Sequence, residues 1–154
     1  MTQSPCRIIN ATAPIRICDL GGWTDTWFSG HGSILNIGVY PYAEAQLFVR
    51  PGDRPGKREV MIHAENFGER YALPTPIEYD KHPLLEACLD IMELPDNLDF
   101  EVNLFSIAPP GCSTGTSAAI SVALLGALDL LTPGRMTPHE IALLAQRVET
   151  EKLG

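Results

Sequence analysis

The segment from Ser117 to Leu131 restricts the fold more than any other part of the sequence. It is built mainly from Ala, Ile, Val and Leu and carries almost no charge. A segment without a polar face predicts a helix that is buried nearly all round. A chain of 154 residues is long enough to bury roughly 70% of its unfolded surface in one domain.

Apolar and β-branched segments before this helix predict a sheet. Five segments have strand character: 6–17, 33–40, 43–50, 58–65 and 99–107. Pro14 interrupts the first of them, and Pro41 separates the second from the third. The polar residues 51–57 form a turn, so the alternating segment after them predicts a hairpin. One face of the last strand is expected to be exposed to solvent.

Two more segments have helix signals. Pro83 suits a first helical turn, and the apolar residues that follow at helical spacing predict about three turns before Pro95. Thr137, Pro138 and Glu140 predict a capping box at the start of a last helix. Its apolar face consists of Ile141, Leu144, Ala145 and Val148.

Composition argues against several classes of partner and site. The net charge of -8 disfavours nucleic acid as a partner. The cysteines show neither zinc-ligand spacing nor a disulfide pattern, which indicates reduced thiols: Cys6, Cys18, Cys88 and Cys112. No signal peptide or membrane-spanning run is evident. We therefore expect a cytoplasmic protein without a membrane partner.

The segment APPGCSTGTSAAISVALL joins a strand to the uncharged helix. Small residues at Gly111, Ser113 and Gly115 allow a ligand to approach the backbone closely. Unpaired amides of the first helical turn favour an anion. Hydroxyl groups could add hydrogen bonds or reach a metal ion: Ser113, Thr114, Thr116 and Ser117. A triphosphate fits this loop, and a helix N-terminus that only packs tightly is the alternative.

The same segment resembles the second signature of the GHMP kinases (galactokinase, homoserine kinase, mevalonate kinase, phosphomevalonate kinase), written P-x-G-x-G-L-x-S-S-A. Here Ser113 replaces the middle glycine and Thr114 replaces the leucine. The remaining positions fit: Pro109, Pro110, Gly111, Gly115, Thr116, Ser117 and Ala119. The resemblance implies an ATP site formed by Pro110, Gly111, Cys112, Ser113, Thr114, Gly115, Thr116 and Ser117.

Near the N-terminus, APIRICDLGGWTDT is similar to the first signature of the family. The match places Arg16 at the signature arginine, while Gly22 stands where galactokinase has glutamate. The segment GGWTDT is more similar to the corresponding segments of L-fucokinase and of D-glycero-D-manno-heptose 7-phosphate kinase. It implies a sugar or sugar phosphate bound by Gly22, Thr24 and Asp25, with Arg16 in a catalytic role. A surface ion pair for Arg16 and an Asx turn for Asp25 are the alternatives.

The resemblance also implies a metal ion and a domain structure. Glu149, with the hydroxyls of Thr116 or Ser117, is expected to bind Mg²⁺, and the catalytic aspartate is expected beyond residue 154. Residues 1–154 then form a truncated N-terminal domain of the ribosomal-protein type, an α+β fold. Its mixed sheet has helices on one face and a left-handed βαβ crossover. The ferredoxin-like C-terminal domain would be absent, and apolar surface exposed by its absence could form a homodimer.

The sequence therefore predicts the N-terminal fragment of an ATP-dependent sugar or sugar-phosphate kinase that is nearly inactive alone. Phosphoryl transfer depends on positioning and charge neutralisation, which suits a site of amides, hydroxyls and a metal ion. Two alternatives remain: a catalytically silent nucleotide- and sugar-binding module or sensor, and an RNA-binding domain of the same fold. The sugar and the hydroxyl that is phosphorylated stay open.

Overall fold

The computed structural model describes residues 6–22, 24, 29–52, 58–109 and 111–153. In this part of the chain the strands are β1 (Arg7–Leu20), β2 (Leu35–Pro51), β3 (Val60–Ala64), β4 (Glu69–Ala72) and β5 (Leu98–Ser106). The α-helices are α1 (Pro83–Asp90), α2 (Thr116–Asp129) and α3 (Pro138–Arg147). A 3₁₀ turn spans Glu65–Phe67, and a π turn, Val148–Lys152, continues α3.

The strands form one mixed sheet in the order β1-β2-β5-β3-β4. Every pairing is antiparallel except that of β3 with β5, which is parallel. The chain passes from β3 to β5 through β4 and α1. The predicted α+β class, with a mixed sheet and helices, is therefore confirmed.

The core lies between the sheet and α2. Alternate residues of the central strands are buried, among them Leu47 and Val102, which face each other across β2 and β5. α2 contacts β1, β2 and β5 as well as both other helices, and Leu124, Leu125 and Leu128 are fully buried. The uncharged segment is thus enclosed as predicted. None of the described helices combines the length and hydrophobicity needed to cross a membrane.

Two prolines do not end strands as the sequence suggested. β2 is one continuous strand across Pro41, and β1 continues through Pro14. Pro14 lies opposite Tyr42, whereas Ile15 lies opposite Val39. The register therefore shifts by two residues of β2, Tyr40 and Pro41. A proline lacks the N–H that a regular ladder needs, and a bulge beside an edge strand is a place where that loss is tolerated.

The predicted hairpin between the third and fourth strand segments is wrong. β3 does not pair with β2, because β5 lies between them: Val102 faces Leu47 of β2 and Ile62 of β3. Alternation shows that each strand has a buried face but leaves its neighbour undetermined. β4 was not predicted, and α1 ends at Asp90, earlier than the run to Pro95 suggested.

The ribbon of β1 and β2 extends beyond the part of β2 that pairs with β5. In this extension Ile17 lies opposite Ile37, and Leu20 lies opposite Leu35. These side chains are 50%, 53%, 67% and 55% exposed in that order. The ribbon therefore exposes apolar side chains, and the homodimer expected from the sequence stays a prediction.

Gly126 lies within α2, where an alanine should be more stable. A Cβ atom added to Gly126 would lie 3.8 Å from Cδ1 of Ile141, an ordinary van der Waals contact. Glycine inside a helix costs about 1 kcal/mol relative to alanine. We expect Gly126→Ala to raise the free energy of unfolding by about that amount in urea titrations. Gly134→Ala, outside the helices and with open space around it, is the control. A loss of stability in Gly126→Ala would contradict the expectation.

Candidate nucleotide-binding cleft

A cleft of about 1110 Å³ lies beside the loop that connects β5 to α2, here called the β5–α2 loop (residues 107–115). Most of the site residues predicted from the sequence line this one cleft: Arg16, Gly22, Gly111, Cys112, Ser113, Thr114, Gly115, Thr116, Ser117 and Glu149. Asp25 and Pro110, which were also predicted, lie outside the described residues. The fold therefore brings together segments from both ends of the chain.

The backbone of the β5–α2 loop has three residues in the left-handed region. The φ angles are 80° at Gly111, 58° at Ser113 and 66° at Gly115. Ser113, at the position where the family signature has glycine, thus adopts a conformation that costs a residue with a side chain roughly 1–2 kcal/mol. The first intrahelical bond of α2 runs from Ala119 N–H to the Gly115 carbonyl. The amides before Ala119 have no partner in the helix, and they make the cleft suitable for an anion.

Side chains of the loop are linked by hydrogen bonds. Thr114 Oγ1 lies 3.0 Å from Cys112 Sγ and 3.0 Å from Thr116 Oγ1. The contact with the Thr114 hydroxyl is the main reason why the pKa of the exposed Cys112 thiol is lowered. The Thr116 hydroxyl is therefore engaged within the loop, whereas Ser117 lies exposed at the lining of the cleft.

Arg16 lies across the end of this loop. Its backbone N–H donates to the Thr114 carbonyl at 2.9 Å. A Cβ atom on Gly115 would come within 3.1 Å of Arg16 Nε and 3.3 Å of Arg16 Cγ. The arginine side chain therefore packs against the bare Cα of Gly115, and its cationic group lines the same cleft as the unpaired amides.

The predicted substrate-binding residues are not all at the cleft. Gly22 lines it. The Thr24 hydroxyl instead donates to the Gly21 carbonyl at 2.6 Å and lies 3.4 Å from the Ser33 carbonyl. Gly21 itself has a φ of 77°. Thr24 thus stabilises the turn that follows β1, and its contact with a substrate stays a prediction.

Glu149 reaches the cleft from the π turn after α3. Burial of its carboxyl group raises its pKa. Glu151, the alternative carboxylate in the same turn, is 3.2 Å from Arg147. Glu149 and Ser117 both line the cleft, and carboxylate and hydroxyl oxygens are ligands that suit Mg²⁺. Among the described residues there is no group of three or more His, Cys, Asp or Glu side chains that could hold a metal ion, so substrate phosphates would have to complete the coordination.

The far end of the cleft was not predicted. It is lined by Asn66 and Phe67 from the 3₁₀ turn, by Lys81 and His82, and by the first turn of α1. Asn66 also holds the end of β5, because its side chain donates to the Ser106 carbonyl at 2.6 Å and accepts from the Ser106 N–H at 2.7 Å. The His-Pro start of α1 was recognised as a helix signal, but nothing in the local pattern linked it to the β5–α2 loop.

A buried glutamate fixes the segment at this far end. Glu86 is 1% exposed, and its Oε1 atom accepts hydrogen bonds from the Tyr71 hydroxyl (2.9 Å), Lys81 N–H (3.3 Å) and His82 N–H (3.2 Å). Burial is the main reason why the pKa of Tyr71 is raised, and the bond to Glu86 adds to it. The His82 ring lies 4.9 Å from the Phe67 ring, centroid to centroid. This cluster gives the far end an aromatic wall on a backbone that is hydrogen-bonded to Glu86.

The part of the chain that contains the β5–α2 loop matches a known protein family. Residues 83–154 match the model of the GHMP kinases N terminal domain. The resemblance to the GHMP kinases predicted from the two signatures is therefore confirmed. The matched residues include the β5–α2 loop, α2 and Glu149, but not β1 and Arg16. None of the curated proteins compared with the sequence matches it.

Several solved kinases have the same fold. A galactokinase from Lactococcus lactis, complexed with galactose, superposes with a TM-score of 0.75 at 19% identity, over 96% of this chain and 39% of its own. A D-glycero-D-manno-heptose 1-phosphate kinase from Bacteroides thetaiotaomicron gives 0.73 at 23% identity, over 96% and 49%. The mevalonate kinase of Methanococcus jannaschii gives 0.59 at 13%, over 98% and 47%. The chain thus spans less than half the length of these structures.

Proposed function

We propose that residues 1–154 form the nucleotide-binding N-terminal domain of an ATP-dependent kinase that phosphorylates a hydroxyl of a sugar or sugar phosphate. The observation that carries the proposal is the convergence of three groups in one cleft. These are the unpaired amides of the β5–α2 loop, the cation of Arg16 and the partly desolvated carboxylate of Glu149. Phosphoryl transfer is catalysed mainly by positioning and by stabilisation of charge, which such a set of groups supplies.

The shape of the cleft suggests how a nucleotide would lie. The phosphates would occupy the β5–α2 loop, where backbone N–H groups favour an anion. The base would occupy the far end, against the aromatic wall of Phe67 and His82 and beside Lys81. Both ends line one continuous cleft, as a ligand with a charged tail and a flat ring requires.

Glu149 and Ser117 would hold Mg²⁺ between the protein and the phosphates, with Thr116 as the third predicted ligand. When bound, the ion would neutralise charge that develops on the transferred phosphoryl group. Glu149 is the acidic side chain that lines the cleft among the described residues, and it is assigned to the metal. In keeping with the resemblance to the GHMP kinases, we expect the general base to be an aspartate beyond residue 154.

The acceptor would lie beside Gly22 and Arg16, with Asp25 binding its hydroxyl groups through carboxylate oxygens. Support for a sugar comes from the GGWTDT segment and from relatives of the same fold, a galactokinase and a heptose phosphate kinase. Arg16 beside the loop is suited to stabilise negative charge on the transferred group.

Nucleotide binding tests the first half of this proposal directly. Calorimetric titration of the chain with ATP should give one site per molecule, and Mg²⁺ should tighten it. Absence of binding with and without Mg²⁺ would contradict the assignment of the cleft. Turnover is then tested in the complete reading frame with galactose, fucose and heptose 7-phosphate. Nucleotide and sugar binding without turnover would favour the silent sensor instead, and salt-sensitive RNA binding would favour the RNA-binding domain.

The role of Glu149 predicts two effects of opposite sign. Because burial raises its pKa, the folded state binds a proton at Glu149 more tightly than the unfolded chain does. The charged form therefore opposes folding at neutral pH, and this cost vanishes as the pH falls through the raised pKa. Glu149→Gln should raise metal-free stability at pH 7, leave it unchanged in acid, and weaken the Mg²⁺ dependence of ATP binding.

Glu151→Gln is the matched control in the same turn, since Glu151 is paired with Arg147. It should leave the Mg²⁺ dependence unchanged. Urea unfolding at two pH values and calorimetry with and without Mg²⁺ provide the measurements. An unaltered Mg²⁺ dependence in Glu149→Gln would remove this residue from the metal site.

A further inference from the structure

The π turn that carries Glu149 (Val148–Lys152) is attached to the rest of the fold at both of its ends. At its start the Val148 side chain is fully buried in the core. At its end Lys152 Nζ lies 3.0 Å from Oδ2 of Asp90, the last residue of α1. Glu149 lies between these two attachments, so both of them affect where its carboxylate lies.

The ion pair of Asp90 and Lys152 connects parts of the chain that are distant in sequence. Of the ion pairs between described residues, it alone joins the π turn to such a distant part. The other pair in this region, between Arg147 and Glu151, joins residues four positions apart on one helical segment. That pair therefore cannot hold the turn against α1.

Asp90 also contacts the segment that precedes α1. Its Oδ2 atom accepts a hydrogen bond from the Tyr79 hydroxyl at 2.7 Å. This bond is the main reason why the pKa of Asp90 is lowered, and the bond to Lys152 adds to it. The helix dipole opposes a negative charge at the C-terminal end of a helix, so the two contacts stabilise a carboxylate that α1 by itself disfavours. Asp90 is thereby kept in the ionised form that pairs with Lys152.

The carboxylate of Glu149 lies close to α1 as well as to the cleft. Burial is the main reason why the pKa of the Cys88 thiol, on α1, is raised to about 12, and the charge of Glu149 adds to this effect. The same glutamate lines the nucleotide cleft. Movement of the π turn away from α1 would therefore move this carboxylate relative to the cleft.

We propose that Asp90 is a positioning residue for the metal site: through Lys152 it holds the π turn against α1 and thereby keeps the Glu149 carboxylate at the cleft. This role rests on the proposed function, in which Glu149 binds Mg²⁺. Asp90 and Lys152 are both outside the lining of the cleft. They therefore act on nucleotide binding through Glu149 and not through contacts of their own.

Two variants with the same change of charge test this role. Lys152→Gln removes the cation that pairs with Asp90, whereas Arg147→Gln removes a cation whose pair stays within the helical segment. Each variant removes one positive charge near Glu149. An effect of charge alone would strengthen Mg²⁺ binding in both of them, whereas loss of positioning should weaken it in Lys152→Gln only.

Calorimetry of the full chain with ATP gives the factor by which saturating MgCl₂ tightens ATP binding. Lys152→Gln should reduce this factor about threefold, in the range of exposed ion pairs, while Arg147→Gln and the conservative Lys152→Arg should not reduce it. Asp90→Asn should reduce it as well, although it changes the charge in the opposite direction. In a Glu149→Gln background, Lys152→Gln should have no further effect. ATP affinity without Mg²⁺ should be unchanged in Lys152→Gln.

Hydrogen exchange of the metal-free chain, labelled with ¹⁵N, separates this role from the proposed function. The amides of residues 149–152 should exchange about threefold faster in Lys152→Gln and Asp90→Asn than in the parent chain. Unchanged exchange would overturn the positioning role, and so would an unchanged Mg²⁺ factor in Lys152→Gln where Glu149→Gln loses it; both results leave the kinase site intact. An unchanged factor in Glu149→Gln would instead overturn the metal assignment, and this inference with it.

Discussion

Replacing Glu86 by alanine is expected to lower the free energy of unfolding by about 3 kcal/mol. Three donors depend on one carboxylate oxygen: the Tyr71 hydroxyl and the N–H groups of Lys81 and His82. In the variant all three lose their acceptor inside the protein, and a cavity remains where the side chain was. Urea unfolding monitored by circular dichroism provides the measurement.

The same substitution should also weaken nucleotide binding, because Lys81 and His82 line the far end of the cleft. Two controls separate the causes. Glu86→Gln keeps an acceptor oxygen and the side-chain volume, so its loss should be clearly smaller. Tyr71→Phe removes one donor and leaves the two backbone contacts in place. If Glu86→Ala cost less than about 1 kcal/mol, water would have to satisfy the three donors, and Glu86 would not be what fixes this segment.

Gly115→Ala should lower the affinity for ATP by about tenfold and the free energy of unfolding by about 1–2 kcal/mol. Gly115 has a φ of 66°, which disfavours any side chain. The added methyl group would also come within 3.1 Å of Arg16 Nε, so the Arg16 side chain would have to shift by a few tenths of an ångström. Calorimetry with ATP and Mg²⁺ measures the first effect, and urea unfolding measures the second.

Gly111→Ala is the matched control within the same loop. Its φ of 80° imposes similar backbone strain, but nothing lies within 4 Å of the added Cβ atom. Both variants should therefore lose similar stability, whereas the larger loss of ATP affinity should appear in Gly115→Ala. Equal losses of affinity would mean that loop strain, and not the position of Arg16, controls phosphate binding.

Local features of this protein followed from its sequence. The capping box of α3 formed as predicted, with Thr137 N–H donating to Glu140 Oε2 at 2.7 Å and Glu140 N–H donating to Thr137 Oγ1 at 3.3 Å. The buried character of α2 followed from its lack of charge. The left-handed conformations at Gly111 and Gly115 lie in the loop of small residues predicted between a strand and a helix. Each of these depends on neighbours within a few residues or on a pattern along one element.

The order of the strands in the sheet did not follow from the sequence. β2, β3 and β5 all alternate between buried and exposed residues, so each could pair with either of the others in an alternating register. The pairing of β3 with β5 also decides what lines the cleft, because the turn after β3 brings Asn66 to the end of β5. No local pattern could link Asn66 to Ser106.

The sequence by itself determined the helix caps, the enclosed helix, the glycine-rich loop and the two signatures that indicated a kinase of this family. The tertiary structure alone decided which strands are neighbours, how Arg16 packs on Gly115, and that the start of α1 forms the far end of the cleft. The physical reason is the range of the interactions. Caps and loop conformations arise from hydrogen bonds and sterics within one turn of chain. Strand order arises from packing of the whole sheet beneath α2, where several pairings satisfy the same local pattern.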